Sequence, residues 1–232
     1  LPLLPALAAD RRVLVLDCPG SGESDKPDRP YDLRFYEDVL VAYLDHLGME
    51  QAIPVGGSLG GNLVLRLGHR FPERFPRLVL WAPGSAWKAK PAAAWITRHV
   101  LGSRLLRSAM FWPVVRIQSR FWYSPDHPGR RQELDETFAY YRRVMGPGFL
   151  AMYWGMAADQ IGRSLFDLAP TIAQPTRLMW GDQDHGGGMG TGVARLHELI
   201  PDNVLHVFPG RRHSLEAECP DGLAEQILIG AG

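Results

Sequence analysis

The sequence predicts an α/β fold: a three-layer α/β/α sandwich around a mostly parallel sheet, with a helical module inserted into it. Three observations carry this reading. Short β-branched runs alternate with segments of helical apolar periodicity across short links. Nearly continuous apolar runs such as RLVLWA at 77–82 read as strands buried on both faces, as parallel strands are. The alternation then breaks after Pro83 and resumes near residue 176, which marks the insertion.

The elements follow in order. Residues 1–9, LPLLPALAA, read as an amphipathic helix; two prolines and the absence of a basic start argue against a signal peptide. RVLVLD at 12–17 reads as a buried strand running into the tight loop Cys18-Pro19-Gly20-Ser21-Gly22. A helix over 33–47 carries Val39, Leu40, Tyr43 and Leu44 on one face and stops at Gly48. A second strand, 52–56, enters a glycine-rich turn and passes straight into a helix over 59–71, which Pro72 ends. Residues 77–82 give a third strand, and TRLMWG at 176–181 and NVLHVF at 203–208 give two more.

Composition narrows the function classes. With 46% hydrophobic and 22% charged residues, the 232-residue chain reads as an ordinary globular protein and not as a disordered one. The formal net charge of zero weighs against nucleic acid as a partner. Cys18 and Cys219 are too few for a disulfide framework, so a reducing, cytoplasmic location is the expectation. Every apolar run is interrupted by charge, proline or glycine, which predicts no stable membrane insertion. Residues 84–170 hold 12 basic and 6 acidic residues and 14 of the 23 aromatic ones, so the neutral total conceals a basic, aromatic module. The chain is accordingly divided into 1–83, the module at 84–170, and 171–232.

Gly56-Gly57-Ser58-Leu59-Gly60 has the G-x-S-x-G form, and it stands where a strand turns into a helix. A side chain at Gly56 or Gly60 is expected to collide where strand and helix approach, and the strained turn would lift the Ser58 hydroxyl to the positive end of the helix. The Leu59 N–H would point at an oxyanion there. A serine nucleophile needs a base, and the base needs an orienting acid.

At this point the chain resembles the α/β-hydrolase superfamily along nearly its whole length. RVLVLDCPGSGESDKP resembles the family's strand and D-x-x-G-x-G-x-S loop; VGGSLGG resembles its elbow. TRLMWGDQD resembles the strand that delivers the acid, and FPGRRHSLEAECPD the loop that carries the base. The resemblance implies Ser58 as nucleophile, His213 as base, Asp184 as acid in preference to Asp182, and the Leu59 N–H in the oxyanion hole, with no dissociable cofactor and no metal. The family usually has glycine before its histidine, where this chain has Arg212. Serine at the elbow argues against the dehalogenase and epoxide-hydrolase branches, which use a carboxylate. The implied activity is hydrolysis of a carboxylic ester or similar acyl bond of a small apolar substrate. Carbon–carbon bond hydrolysis and acyl transfer use the same triad, and a non-catalytic binding protein of this fold is the alternative from another class.

The module at 84–170 resembles the family's cap. Gly57, Trp87, Trp112, Trp122 and Trp154 are candidate substrate contacts, although most cap aromatics are expected to pack the helices. Arg116, Arg120, Arg130, Arg131, Arg142 and Arg143 suit an acidic substrate or a lipid surface, or simply a solvated face. The glycines at 186–192 read as a loop beside the acid and not as a phosphate cradle. One part of the pattern is missing. The family places a strand and a His-Gly loop before the segment that LPLLPALAAD resembles, supplying a central strand and the second oxyanion donor. The expectation is a fragment of a longer hydrolase, favoured by Leu1 in the first position, or else a shortened form with weak activity, since one such donor is worth ~10²–10³ in rate.

Overall fold

The computed structural model describes residues 2–9, 11–185 and 189–232. Among them lies a four-stranded sheet in the order β1-β2-β3-β4, with β1 at Val55–Gly57, β2 at Leu78–Trp81, β3 at Thr176–Gly181 and β4 at Asn203–Phe208. Each neighbouring pair is parallel. β3 and β4 keep the predicted bounds, β2 is shorter by a residue at each end, and β1 begins later than expected.

Side-chain alternation divides the core in two. Leu78, Leu80, Leu178 and Trp180 point to one face, where they pack with Leu65 and Leu67 of α3 (Leu59–Arg70), Leu44 of α2 (Leu33–His46) and Leu196 of α8 (Met189–Leu199). Val79 and Met179 point to the other, against Leu223 and Ile227 of α10 (Pro220–Ala231), which follows the single-turn α9 (Leu215–Glu218). Each inner strand is therefore apolar on both faces. α1 (Leu4–Leu7) is a single turn and not the helix over 1–9 expected; only Leu3 and Leu7 rest against the α10 side.

The predicted strand at 12–17 is absent from the sheet. The segment runs without secondary structure, and Val15 is 55% exposed. A β-branched run becomes a strand only beside a neighbour that completes its ladder, and β1 forms its ladder with β2 alone among the described residues. The loop that follows is well built. Gly22 (φ +53) brings its α-carbon against the Asp17 carboxylate, leaving no room for a side chain, and Asp17 Oδ2 accepts the Glu23 N–H at 2.9 Å.

The chain between β2 and β3 holds α4 (Pro91–Ile96), a π-helical turn at Thr97–Leu101, α5 (Arg107–Gln118), α6 (Arg130–Val144) and α7 (Pro147–Gly162). Phe111 and Val115 of α5 with Phe149, Leu150 and Met156 of α7 form a third cluster that takes in Tyr31 just before α2, Leu33 and Tyr36 from its start, and Leu63 from α3. Asp159 of α7 accepts the Leu33 N–H at 3.0 Å, tying this layer to the first turn of α2. No described helix is long and apolar enough to cross a membrane.

Candidate active site

Ser58 sits between β1 and α3 at φ 54°, ψ −114°, a left-handed backbone conformation that a residue with a side chain adopts only under constraint. The constraint is visible. Its N–H donates to the Trp81 carbonyl (3.0 Å), and its own carbonyl accepts the Gly84 (2.9 Å) and Asn62 (3.1 Å) N–H groups. A Cβ on Gly56 would lie 2.5 Å from the Gly60 carbonyl carbon, so the strand and helix touch there backbone to backbone. Gly60 departs from expectation: a Cβ of its own would meet nothing within 4 Å, so the close approach constrains Gly56 and not Gly60. Gly57 departs too. The Trp81 indole covers its α-carbon, so that face is closed to a substrate by packing. The Leu59 N–H opens α3, where helix geometry supplies no acceptor, and no backbone carbonyl among the described residues takes it.

The other two residues come from loops that follow β3 and β4, at the same carboxyl end of the sheet as Ser58. His213 Nε2 lies 2.9 Å from Ser58 Oγ, and its Nδ1 lies 2.9 Å from Asp184 Oδ2. Asp184 is almost wholly buried. Asp182, the rival acid, lies exposed and accepts the Gly210 N–H at 2.7 Å, fastening the turn after β4. Burial alone would push the His213 pKa down; the hydrogen bond and charge of Asp184, joined by Glu216, outweigh it and leave the imidazole above the ordinary histidine value.

The His213 loop is bolted to the helical segment between β2 and β3. The Ser214 N–H donates to the Trp122 carbonyl (2.9 Å), Arg212 Nη1 to the Arg120 carbonyl (2.8 Å), and Ser124 Oγ to the Gly210 carbonyl (2.8 Å). Buried Glu218 Oε1 accepts the N–H groups of both Ser124 (3.1 Å) and Arg212 (3.2 Å). The arginine that stands in place of the family's usual glycine therefore fastens this loop, because its guanidinium reaches across to that segment.

The candidate tryptophans divide. Trp122 accepts the Ser214 N–H, one residue past His213, at its carbonyl and turns its ring toward Tyr141. Trp112 packs edge-on against Phe111 and Phe138 and lies under the Arg142 guanidinium. Trp87 packs against the core on the α3 side of the sheet. Trp154 is buried, with its indole N–H donating to the Arg107 carbonyl at 3.1 Å. Its surface and polar atom are used up by helix packing, which removes it as a substrate contact. Of the glycines at 186–192, residues 186–188 lie outside the described residues.

The family model for the alpha/beta hydrolase fold matches residues 2–217. The chain belongs to that family. Among curated relatives of this hydrolase-fold chain is a poly(3-hydroxyalkanoate) depolymerase of Ectopseudomonas oleovorans, 29% identical over 214 residues that cover 89% of this chain and 70% of the relative. A 2-hydroxymuconate semialdehyde hydrolase of Pseudomonas sp. (strain CF600) is 44% identical over 90 residues, covering 38% of this chain and 31% of the relative. The enol-lactonase structure from Burkholderia xenovorans LB400 superposes with a TM-score of 0.79 at 22% identity, covering 98% of this chain and 84% of that one.

Within the hydrolase fold, one pair beside the site has no counterpart among the sequence motifs. Trp81, at the end of β2, donates its indole N–H to Glu216 Oε2 at 3.0 Å. Burial, helped by Glu133, holds the Glu216 carboxyl above the ordinary glutamate value, and its own backbone N–H, the Trp81 indole and His213 offset this only in part. Glu216 is therefore a second carboxylate acting on His213. Its place three residues after His213 is the one local signal, because the Trp81 partner is 135 positions away in sequence.

Proposed function

We propose that this chain is a serine hydrolase that cleaves a carboxylic ester or similar acyl bond of a small apolar substrate. The observation that carries the reading is the unbroken relay from Asp184 Oδ2 to His213 Nδ1 and from His213 Nε2 to Ser58 Oγ, both at 2.9 Å. Ser58 Oγ attacks the carbonyl carbon while its proton passes to His213 Nε2, and Asp184 stabilises the imidazolium that forms. The Leu59 N–H donates to the oxyanion at the amino end of α3. His213 then gives the proton to the departing alkoxide, leaving an acyl-serine. Water, deprotonated by His213, attacks the acyl-serine and releases the acid and Ser58.

The relatives support acyl chemistry of this kind without choosing the bond. The depolymerase name points to an ester, the muconate semialdehyde hydrolase name to a carbon–carbon bond next to a carbonyl. The test is labelling with a fluorophosphonate probe and turnover of p-nitrophenyl esters of increasing acyl length, against a ring-cleavage dienoate. Label that is lost in Ser58→Ala, with turnover of short esters, is the expected result. Equal labelling of Ser58→Ala rejects the nucleophile, and turnover of the dienoate alone rejects the ester.

A further inference from the structure

Between Pro83 and Pro125 the chain contains seven basic residues and no aspartate or glutamate. The part at 88–105 is also where large apolar side chains stand out from the surface. Trp95 is 60% and Leu105 87% exposed, and Ile96 and Val100 between them are exposed as well. These four do not belong to the packing of the module, whose inward side at this point is made by buried Thr97 and by Gly102 against Trp154. The charges that the segment itself carries are all positive. Lys88 and Lys90 are exposed and form no ion pair among the described residues, while Arg98 and Arg104 face Asp159 (2.9 Å) and Asp28 (3.4 Å) from neighbouring segments. An open cleft of about 440 Å³ beside Trp95 is lined by Pro91, Ala94, Arg98, His99, Asp159 and Arg163. Asp159 pairs with Arg98 and Arg163, one carboxylate for two guanidinium groups, so the cleft keeps a net positive charge that adds to that of the two lysines.

We propose that residues 88–105 dock this protein peripherally on an anionic lipid surface. A tryptophan and branched aliphatic residues interleaved with lysine and arginine, with no carboxylate in the segment, fit the boundary between acyl chains and negatively charged headgroups. Trp95, Ile96, Val100 and Leu105 enter the headgroup and upper acyl region, and Lys88 and Lys90 stay at the phosphates. A second copy of the chain is a poor occupant, because it would set the same positive segment against itself. The docking does not depend on the proposed catalytic chemistry, since none of these residues belongs to the Ser58 site.

Flotation of the full chain with phosphatidylcholine vesicles, with and without about a third phosphatidylglycerol, tests the proposal. The expected result is binding to the anionic vesicles only, weakened in about half-molar salt and lowered roughly 30-fold in the Lys88→Gln/Lys90→Gln double variant. Trp95→Ala/Leu105→Ser is expected to abolish the association at any salt concentration. All four side chains are exposed, so unchanged thermal unfolding and unchanged fluorophosphonate labelling separate lost docking from lost folding or a lost active site. Equal affinity of wild type and variants overturns the proposal, as does failure to bind anionic vesicles. A dimer in solution that Trp95→Ala dissociates, without lipid binding, reassigns the surface to a second copy and overturns it too.

Discussion

β1 and β4 lie at opposite edges of the sheet and place the two reacting partners, but they do so by different means. β4 is held to β3 across six register pairs, whereas β1 is held to β2 across three. The long edge alone does not place His213, because its loop is fixed by bonds to the 120–124 segment and to Glu218. The short edge does not place Ser58 either: its backbone bonds to Trp81, Gly84 and Asn62 do. In both cases the strand brings the residue to the right end of the sheet, and contacts beyond the strand set the final ångström. The 2.9 Å bond between His213 and Ser58 is thus the point at which two regions held from beyond their strands meet, and the Trp81–Glu216 bond links the two supports.

The sharpest way to break that picture is to remove either side of the bond. Ser58→Ala and His213→Ala are each expected to lower ester turnover by about 10⁴-fold or more, and the double variant to lose no more than the worse single one, because residues that act as a unit are not additive. Asp184→Asn should lose about 10⁴-fold while keeping the fold, since the wrong imidazole tautomer is then stabilised. Additive losses measured in the double variant would mean that the two residues act separately and that the relay does not operate.

The next effect is on stability and concerns the middle of the sheet. Val79 of β2 is fully buried and faces Met179 and the α10 residues. Val79→Ala is expected to cost about 2 kcal/mol, read as a lower midpoint in urea at unchanged m-value. A smaller pH effect belongs to Glu216. Its charge and that of Asp184 hold the His213 pKa above the ordinary value, so His213 stays protonated, and useless as a base, to a higher pH. Glu216→Gln removes one of those charges, and the acid limb of the kcat/KM profile is expected to move to lower pH; Trp81→Phe, which strips Glu216 of its indole donor, should move it the same way. Facing charges that persist are Asp184 on the imidazole and Glu133 on Glu216. An acid limb that stays in place in both variants would mean that Glu216 is uncharged where the enzyme works.

The same contrast explains what is legible in the sequence. TRLMWG and NVLHVF mark the bounds of β3 and β4 to the residue, because β3 is paired on both sides and β4 pairs with it at all six positions, although as an edge strand it leaves Val204 and Val207 exposed. RVLVLD carries the same pattern and no ladder forms, because pairing is a property of two segments and a local run reports only one. The Ser58, Asp184 and His213 positions are legible through local motifs, each within a few residues of a strand end. Trp81 with Glu216, and Ser124 with Glu218, are not: the sequence separations are 135 and 94, and nothing local in either partner names the other. Gly57 and Trp154 depart from expectation for one reason. A glycine or a tryptophan near a site is a candidate contact until a neighbour is found to occupy its free surface, and here the Trp81 indole and the Arg107 carbonyl do so.

The smallest expected effect is the most discriminating for the edge comparison. Val55 is the register partner of Val79, in the same residue type on the adjacent strand, yet it is 42% exposed. Burial and not residue type or ladder position should therefore set its worth. Val55→Ala is expected to change stability by no more than about 0.5 kcal/mol, against the larger cost at Val79, and to leave labelling of Ser58 unchanged because the elbow is anchored by Trp81, Gly84 and Asn62. Equilibrium unfolding of the two variants in parallel measures the difference with the chemistry of the substitution held constant. A loss at Val55 as large as that at Val79 would mean that the outer edge of β1 is covered in solution, and β1 would then have to be counted as an inner strand carrying Ser58 from both sides.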